Sequence, residues 1–213
     1  MISLLSQGQF AIFALLIVAL VLSLSFHEFG HAVVAKWQGD DTAQRAGRLT
    51  LNPLAHIDPM GLLMVVLVGF GYAKPVPTDP RNFKSFFSDL WVSAAGPFMN
   101  LILAFVSWNT YLILLSNGWE SEAAALFFTV LVRVNLLLML FNLIPLGPLD
   151  GHYILPYFLP KRLSHSYRQL NARYGTAVFL GLIMLSYFGN LPLFKWLSSL
   201  SQAMLEIITV VGV

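Results

Sequence analysis

Residues 10–37 read FAIFALLIVALVLSLSFHEFGHAVVAKW, an apolar run that carries His27-Glu28-Phe29-Gly30-His31 near its end. The 26 residues before His27 contain no charged side chain. Because a membrane-spanning helix needs about 20 mostly apolar residues, this run predicts one. A cleaved signal peptide begins with a basic region, whereas the first Lys here is Lys36, so we expect an uncleaved helix.

The composition favours a lipid environment for the whole chain. Its 213 residues are 57% hydrophobic and only 10% charged, and the mean hydropathy is +0.74. A soluble domain carries about 25% charged residues, so this chain has too few to cover a surface in water. The formal net charge of +2 is too small to indicate nucleic-acid binding. Cysteine is absent, so any metal must be held by His, Asp or Glu.

Further apolar runs predict the rest of a helical bundle. These runs lie at 91–119, 123–146, 174–194 and 196–213. The second is interrupted by Arg133, and the last contains Glu206 and predicts either a span or an interfacial helix. We therefore expect an all-α polytopic membrane protein that forms a single domain over residues 1–213. A three-span core at about 8–160 would be followed by one or two spans at about 174–213.

One segment between the first two spans does not follow the helical pattern. Residues 60–69 are apolar but too few to cross a bilayer, and residues 69–77 read GFGYAKPVP. Gly and Pro at this density break helices. We expect a re-entrant, partly extended, β-like segment, which must be shielded by the bundle or face a wet cavity.

The basic residues predict the orientation in the membrane. Ten of the twelve lie in two loops between spans: Lys36, Arg45, Arg48, Lys74, Arg81, Lys84, Lys161, Arg162, Arg168 and Arg173. The loop at 116–122 holds Glu120 and Glu122 and no basic residue. Because cytoplasmic loops carry the excess of Lys and Arg, we expect a multi-pass protein of the cell (plasma or inner) membrane. The end of the first span that carries the histidines would face the cytoplasm.

His27, Glu28 and His31 form the sharpest chemical pattern. Residues four apart lie on one face of a helix, so both imidazoles can reach one ion. Glu28 lies close enough to take a proton from water, and this spacing is typical of zinc metalloproteases. The alternative is two histidines that only pack between helices. Burying ionisable groups at the end of an apolar helix is costly, which favours the functional interpretation.

A catalytic zinc takes three protein ligands and keeps one position open. Asp150 is the best candidate for the third, within the residues 142–151 that read NLIPLGPLDG. The two prolines stop a regular helix and the two glycines permit a tight backbone turn, so this carboxylate can point back toward the first span. Asp150 can equally be the N-cap of a short helix at 151–159, and the spacing alone leaves both open.

These two motifs in this order resemble the site-2 protease family of intramembrane zinc metalloproteases, in its small prokaryotic type without PDZ or CBS domains. Residues 51–59, 69–77 and 95–100 are similar to segments of the same family. The resemblance implies one Zn²⁺ per chain with Asp150 as third ligand. It also implies hydrolysis of peptide bonds in or near transmembrane segments, with membrane proteins or signal-peptide remnants as substrates. His152 and Tyr153 depart from the residues common in the family at these positions.

Four further places are candidates for catalysis or substrate binding. Asn142 can donate an amide hydrogen bond to an oxyanion, as the resemblance suggests, or only pack between helices. Asn100 can contact substrate or pack. His56 can gate the site or touch the metal, although a backbone hydrogen bond is favoured. An extended substrate can add to the edge of the irregular segment, at Gly71, Tyr72 and Val76.

Two other functions use the same residues. A membrane metal-binding protein or transporter would need the His and Asp ligands but not Glu28. Transporters usually contain repeated halves, and none is visible in the sequence. A non-catalytic homologue that binds helices would have no need for a buried carboxylate at Glu28.

Overall fold

The computed structural model describes residues 2–68, 71–189 and 191–212, and within these ranges the regular structure is helical. The α-helices are α1 (Ile2–Ser6), α2 (Phe10–Trp37), α3 (Thr42–Arg45), α4 (Pro53–His56), α5 (Pro59–Val68), α6 (Ser88–Ser116), α7 (Glu122–Asn142), α8 (Gly151–Ile154), α9 (Lys161–Leu170), α10 (Thr176–Phe188) and α11 (Leu193–Ile208). Short 3₁₀ turns occupy Pro80–Asn82 and Leu155–Phe158, and Asn171–Gly175 is π-helical.

Helices α2, α6 and α7 are long and apolar enough to cross a membrane. The 28 residues of α2 give a helix of about 42 Å, more than a bilayer core of about 30 Å requires. The three helices pack pairwise on one another. The expectation of an all-helical membrane fold with a three-helix core is confirmed.

The ends of these helices follow from local sequence. Helix α2 covers the predicted range, and α7 stops at Asn142, three residues before Pro145, instead of reaching 146. The start of α7 is fixed by Ser121, whose hydroxyl accepts a hydrogen bond from the Ala124 amide at 3.4 Å. Helix α6 begins at Ser88, slightly before the predicted residue 91.

Small residues bring α2 and α6 into close contact beside the histidines. A Cβ atom added to Gly30 would lie 2.5 Å from Met99 Cγ and 2.8 Å from the Ala95 carbonyl oxygen. Only glycine permits this approach of the two backbones, as in other membrane helix pairs with small residues at the crossing. The histidine-bearing turn of α2 is therefore pressed against the middle of α6.

The C-terminal helices pack on the core at two places. Helix α11 lies on α7, and Ile208 joins a buried cluster with Ala104, Val132 and Leu136. The carbonyl of Ile208 also accepts a hydrogen bond from Asn109 Nδ2 at 2.8 Å.

The C-terminal helices do not form one straight span. Lys161–Phe188 and Leu193–Ile208 are bent by 90° to each other, so the apolar pair forms one broken span or a re-entrant element. The number of C-terminal spans thus stays a prediction.

The segment at 69–77 is described from residue 71 onward, and residues 69–70 lie outside the described chain. Its described part is irregular rather than a strand. One isolated antiparallel bridge joins Ala73 to Ile57, and the Lys74 amide donates to the His56 carbonyl at 2.8 Å. A Cβ atom on Gly71 would lie 2.1 Å from the Gly61 carbonyl oxygen. The segment is thus packed backbone to backbone against α5.

Candidate metal centre

His27, His31 and Asp150 converge on one point. The Nε2 atoms of the two histidines are 3.1 Å apart. His27 Nε2 lies 3.2 Å from Asp150 Oδ2, and His31 Nε2 lies 3.5 Å from Asp150 Oδ1. Ligands at zinc–ligand distances of about 2.0–2.2 Å in a tetrahedron are roughly 3.3–3.6 Å apart. The cluster therefore has the dimensions of one tetrahedral ion site.

Asp150 does occupy the N-cap position of α8, but its side chain makes no capping hydrogen bond. The carboxylate instead points toward the histidines of α2. Its Oδ2 atom is buried without a hydrogen-bond partner among the described residues. A buried carboxylate oxygen without a donor is costly, so a cation at this point would relieve it.

A relay of amides determines which nitrogen of His27 carries the proton. Asn135 Nδ2 donates to the Leu131 carbonyl at 2.8 Å, so Asn135 Oδ1 is left to accept from Asn100 Nδ2, also at 2.8 Å. The Asn100 amide is thereby oriented, and its Oδ1 lies 2.7 Å from His27 Nδ1. An amide oxygen can only accept, so His27 Nδ1 carries the proton.

His31 is oriented in the same way by the backbone of α6. Its Nδ1 lies 2.7 Å from the Val92 carbonyl oxygen and must donate to it. A neutral imidazole carries a single proton, so in the neutral form each histidine would present an unprotonated Nε2 to Asp150. Two such lone pairs and a carboxylate that face one another would repel unless a cation lies between them. Orientation of metal-binding histidines through the second nitrogen is typical of zinc sites.

Gly96 of α6 lets both histidine rings lie directly against the helix backbone. A Cβ atom added there would lie 2.3 Å from His31 Nε2 and 2.7 Å from His27 Nε2. Both distances are far shorter than van der Waals contact, so any other residue would displace at least one ring. Glycine at this position therefore permits the two Nε2 atoms to converge with Asp150. The donor set of two imidazoles and one carboxylate fits zinc.

Glu28 lies beside the cluster and is held by the irregular segment. Its side chain is nearly buried, and Oε2 accepts a hydrogen bond from the Val76 amide at 2.9 Å. The predicted general base and the predicted substrate-binding segment are therefore in direct contact. The sequence indicated both elements but not that they meet.

Arg48 supports the segment from the opposite side and was not singled out by its sequence. Arg48 is only 5% exposed to solvent. Nη1 donates to the Pro75 carbonyl at 3.0 Å, and Nη2 donates to the Lys74 carbonyl. Burial lowers the pKa of the Arg48 guanidinium, whereas the nearby Glu28 carboxylate acts in the opposite direction. Arg48 thus fixes the backbone whose next amide bonds the Glu28 carboxylate.

Asp40 fastens the far end of the same segment to the end of α2. It is fully buried, and its carboxylate accepts from the Asp79 amide at 2.6 Å and from Asn82 Nδ2 at 3.0 Å. Thr42 donates to it through both amide and hydroxyl. Burial would raise the pKa of Asp40, but these hydrogen bonds together lower it. Residues 74–82 are consequently held at both ends.

Two residues expected near substrate have other contacts. Asn100 is fully buried, and its side-chain amide forms hydrogen bonds with His27, Asn135 and the Ser23 carbonyl. No part of the side chain is therefore exposed to a substrate. His56 is also fully buried, and its Nε2 lies 2.7 Å from the Thr50 carbonyl oxygen. Asn100 thus orients His27, and His56 bonds backbone, the alternative that the sequence favoured, while contact of either residue with substrate stays a prediction.

The remaining predicted site residues lie around the segment and at the end of α7. Tyr72 is 47% exposed and Val76 is half-buried, so both remain accessible from the segment. Asn142 Nδ2 donates to the Leu138 carbonyl at 3.0 Å, one turn back in α7. Its side chain is therefore engaged with the helix and not with the His-His-Asp cluster.

Comparison with known proteins agrees with this geometry. The model of "Peptidase family M50" matches residues 15–119 and 112–186. The chain is 38% identical over 202 residues to "Putative zinc metalloprotease YwhC" of Bacillus subtilis (strain 168), covering 92% of this chain and 91% of that protein. It is 33% identical over 159 residues to "Putative zinc metalloprotease Rip2" of Mycolicibacterium smegmatis, covering 70% of this chain and 60% of that protein. No solved structure matches the chain significantly.

A membrane-embedded helical bundle with a buried His-His-Asp cluster is the architecture of a membrane metalloenzyme. The chain belongs to peptidase family M50, the site-2 protease family, as the two sequence motifs predicted. Zinc as the metal, expected from the resemblance, agrees with both the cluster and the relatives.

Proposed function

We propose that this chain is an intramembrane zinc metalloprotease that hydrolyses peptide bonds in or near transmembrane segments of membrane proteins. His27, His31 and Asp150 would hold the zinc, and Glu28 would act as general base. The observation that carries the proposal is the convergence of both histidine Nε2 atoms on the Asp150 carboxylate, whose Oδ2 is buried with no hydrogen-bond partner among the described residues. Zinc, when bound, supplies a Lewis acid that polarises a carbonyl and makes water more acidic.

Glu28 supplies the base that peptide hydrolysis requires. One carboxylate oxygen is engaged by the Val76 amide, which leaves the other free to take a proton from water and pass it to the leaving amine. The hydrogen bond from Val76 also fixes the carboxylate relative to the neighbouring His27. Fixing a base before substrate arrives lowers the entropic cost of reaching the reactive geometry.

The segment from Gly71 to Pro77 is our candidate for substrate binding. An extended peptide can add to an irregular, exposed edge through backbone hydrogen bonds. A peptide that pairs beside Val76 would lie one hydrogen bond away from Glu28. We infer that the segment is re-entrant, because irregular backbone at membrane depth must be shielded by protein or face water.

Asn142 is our candidate donor for the oxyanion. It lies at the C-terminal end of α7, shortly before the loop that carries Asp150. To serve this role its amide would have to exchange the Leu138 carbonyl for the substrate oxygen. The basic loops on the same side of the bundle support a site that faces the cytoplasm of the cell membrane, with single-span proteins or signal-peptide remnants as substrates.

Cleavage by purified protein in detergent tests the proposal. A model single-span protein is incubated with wild type, Glu28→Gln and the control Glu120→Gln, which changes an exposed residue of the outer loop. We expect wild type and control to cut the substrate, and Glu28→Gln to retain about one zinc but lose cleavage by several orders of magnitude.

Other outcomes would point elsewhere. Cleavage by Glu28→Gln at the wild-type rate would refute the role of Glu28 as general base. Zinc in every sample without cleavage of any of several substrates would favour a metal-binding protein or transporter.

A further inference from the structure

The loop that carries Asp150 runs from the end of α7 to α8 and is held by turn hydrogen bonds on either side of Gly147, from Leu146 N–H to Ile144 O and from Leu149 N–H to Leu146 O. Gly147 itself adopts a φ of +64°, a conformation that residues other than glycine rarely adopt. Because Asp150 Oδ2 has no hydrogen-bond partner among the described residues, the side chain is not held in place by a donor. The position of the carboxylate therefore depends on what holds the loop backbone.

Asn171 holds that backbone with its whole side-chain amide. Its Oδ1 accepts from the Gly147 amide at 3.0 Å, and its Nδ2 donates to the Gly147 carbonyl at 3.2 Å. This paired contact resembles the bridge between two antiparallel strands and fixes both position and direction. No other amide side chain among the described residues makes such a paired contact with the N–H and C=O of one residue.

The helix around Asn171 is shaped for this contact. Asn171–Gly175 forms a π-helical turn between α9 and α10. A Cβ atom on Gly175 would lie 2.3 Å from Asn171 Oδ1, so only glycine leaves room for the amide. Single π turns inside α-helices occur often at functional sites.

Two further contacts join the same helix to the loop. The Tyr167 hydroxyl donates to the Pro145 carbonyl at 2.8 Å. Leu149, the neighbour of Asp150, packs in a buried cluster with Phe179 and Ile183 of α10. The loop is thus tethered before, at and after Gly147 to residues 161–188.

We propose that Asn171 is a positioning residue that places Asp150 against the two histidines, so that the helix beyond the three-span core sets the affinity of the metal site. The inference rests on the proposed function, since it takes Asp150 as a zinc ligand. Residues that orient a ligand without touching the metal typically change metal affinity by about 10–100-fold when replaced.

Asn171→Asp is the variant that tests this role with the smallest change in shape. It keeps an acceptor for the Gly147 amide but opposes a second oxygen to the Gly147 carbonyl, so the loop should shift. Gln169→Glu is the matched control, since it makes the same amide-to-carboxylate change at an exposed position of α9. Zinc affinity is measured by competition with a chelator, and cobalt is substituted to record its visible spectrum.

We expect Asn171→Asp to bind zinc about 10–100-fold more weakly and to change the cobalt spectrum, with the control within twofold of wild type. Zinc affinity of Asn171→Asp within twofold of wild type would overturn the inference. A weaker affinity with an unchanged cobalt spectrum would also overturn it, because the ligand geometry would then be intact. Failure of wild type to bind zinc at all would instead refute the proposed function.

Discussion

Replacement of Gly96 by alanine should weaken metal binding although it changes none of the proposed ligand residues. The new Cβ atom would lie 2.3 Å from His31 Nε2 and 2.7 Å from His27 Nε2. Nonbonded carbon and nitrogen atoms need about 3.5 Å, so a ring or the helix must move by roughly 1 Å. A shift of this size takes at least one Nε2 atom out of the arrangement that a tetrahedral ion requires.

The expected loss of zinc affinity is large for these reasons. Removal of a group that only orients a ligand costs about 10–100-fold, and Gly96→Ala displaces a ligand ring directly, so we expect at least about 100-fold. The assay is zinc content after purification together with chelator competition. Gly181→Ala in α10 is the control, because a Cβ atom there has no neighbour within 4 Å.

One result would contradict this prediction. If Gly96→Ala retains about one zinc with an affinity within about threefold of wild type, the gap at Gly96 does not position the two histidines at the metal. Thermal unfolding of the metal-free proteins should be recorded beside the binding assay. A lowered affinity is informative only if metal-free Gly96→Ala remains folded, and Gly96→Ser would then be expected to behave in the same way.

Two other substitutions test the support of the irregular segment. Arg48→Gln should lower kcat/KM by about tenfold or more without changing zinc content, because the Lys74 and Pro75 carbonyls lose their donors. The control Arg45→Gln alters an exposed ion pair and should change neither kcat/KM nor zinc content. Loss of zinc from Arg48→Gln would contradict this assignment. Asp40→Asn should destabilise the protein at pH 7 by about 1–3 kcal/mol in thermal unfolding. Since the folded pKa of Asp40 is lowered, its contribution is full above the unfolded pKa of about 3.9 and is lost as pH falls through the folded value. If wild type stays more stable than Asp40→Asn at pH values below the folded pKa of Asp40, the lowered pKa of this carboxylate is refuted.

The elements that were predicted correctly depend on local sequence. The length and apolarity of α2 and the spacing of His27 and His31 are properties of one helix, so both could be derived before any fold was known. The irregular course of residues 71–77 follows from Pro and Gly in the same way, whereas the apolar run at 123–146 did not reveal that α7 ends at Asn142. These features need no knowledge of which helices touch.

The features that were missed depend on contacts between distant segments. Gly96 looked like an ordinary residue of α6, and Asn100 was predicted to contact substrate or to pack, with no sign that it bonds His27 of α2. The pair Ala95-Gly96 in an apolar helix was a signal of close approach, but the sequence did not say which side chain would fill the gap. The N-cap and ligand interpretations of Asp150 were likewise separable only by the direction of its carboxylate.

Arg48 illustrates the same limit for a charged residue. In the sequence it was one of ten basic residues used to orient the loops, and nothing local distinguished it from Arg45. In the structure Arg45 forms an exposed ion pair with Asp41, whereas Arg48 is buried against two carbonyls of the segment. Burial of a cation is costly without such partners. Arg48, and not Arg45, therefore holds the backbone of the segment.

An X-ray absorption spectrum at the zinc edge of purified wild-type protein identifies the zinc ligands without any substrate. We expect two imidazole nitrogens and at least one carboxylate oxygen at about 2.0–2.2 Å, with one oxygen scatterer lost or displaced in Asp150→Ala. Three imidazoles around the zinc, or an Asp150→Ala spectrum identical to that of wild type, would contradict the assignment of His27, His31 and Asp150 as its ligands.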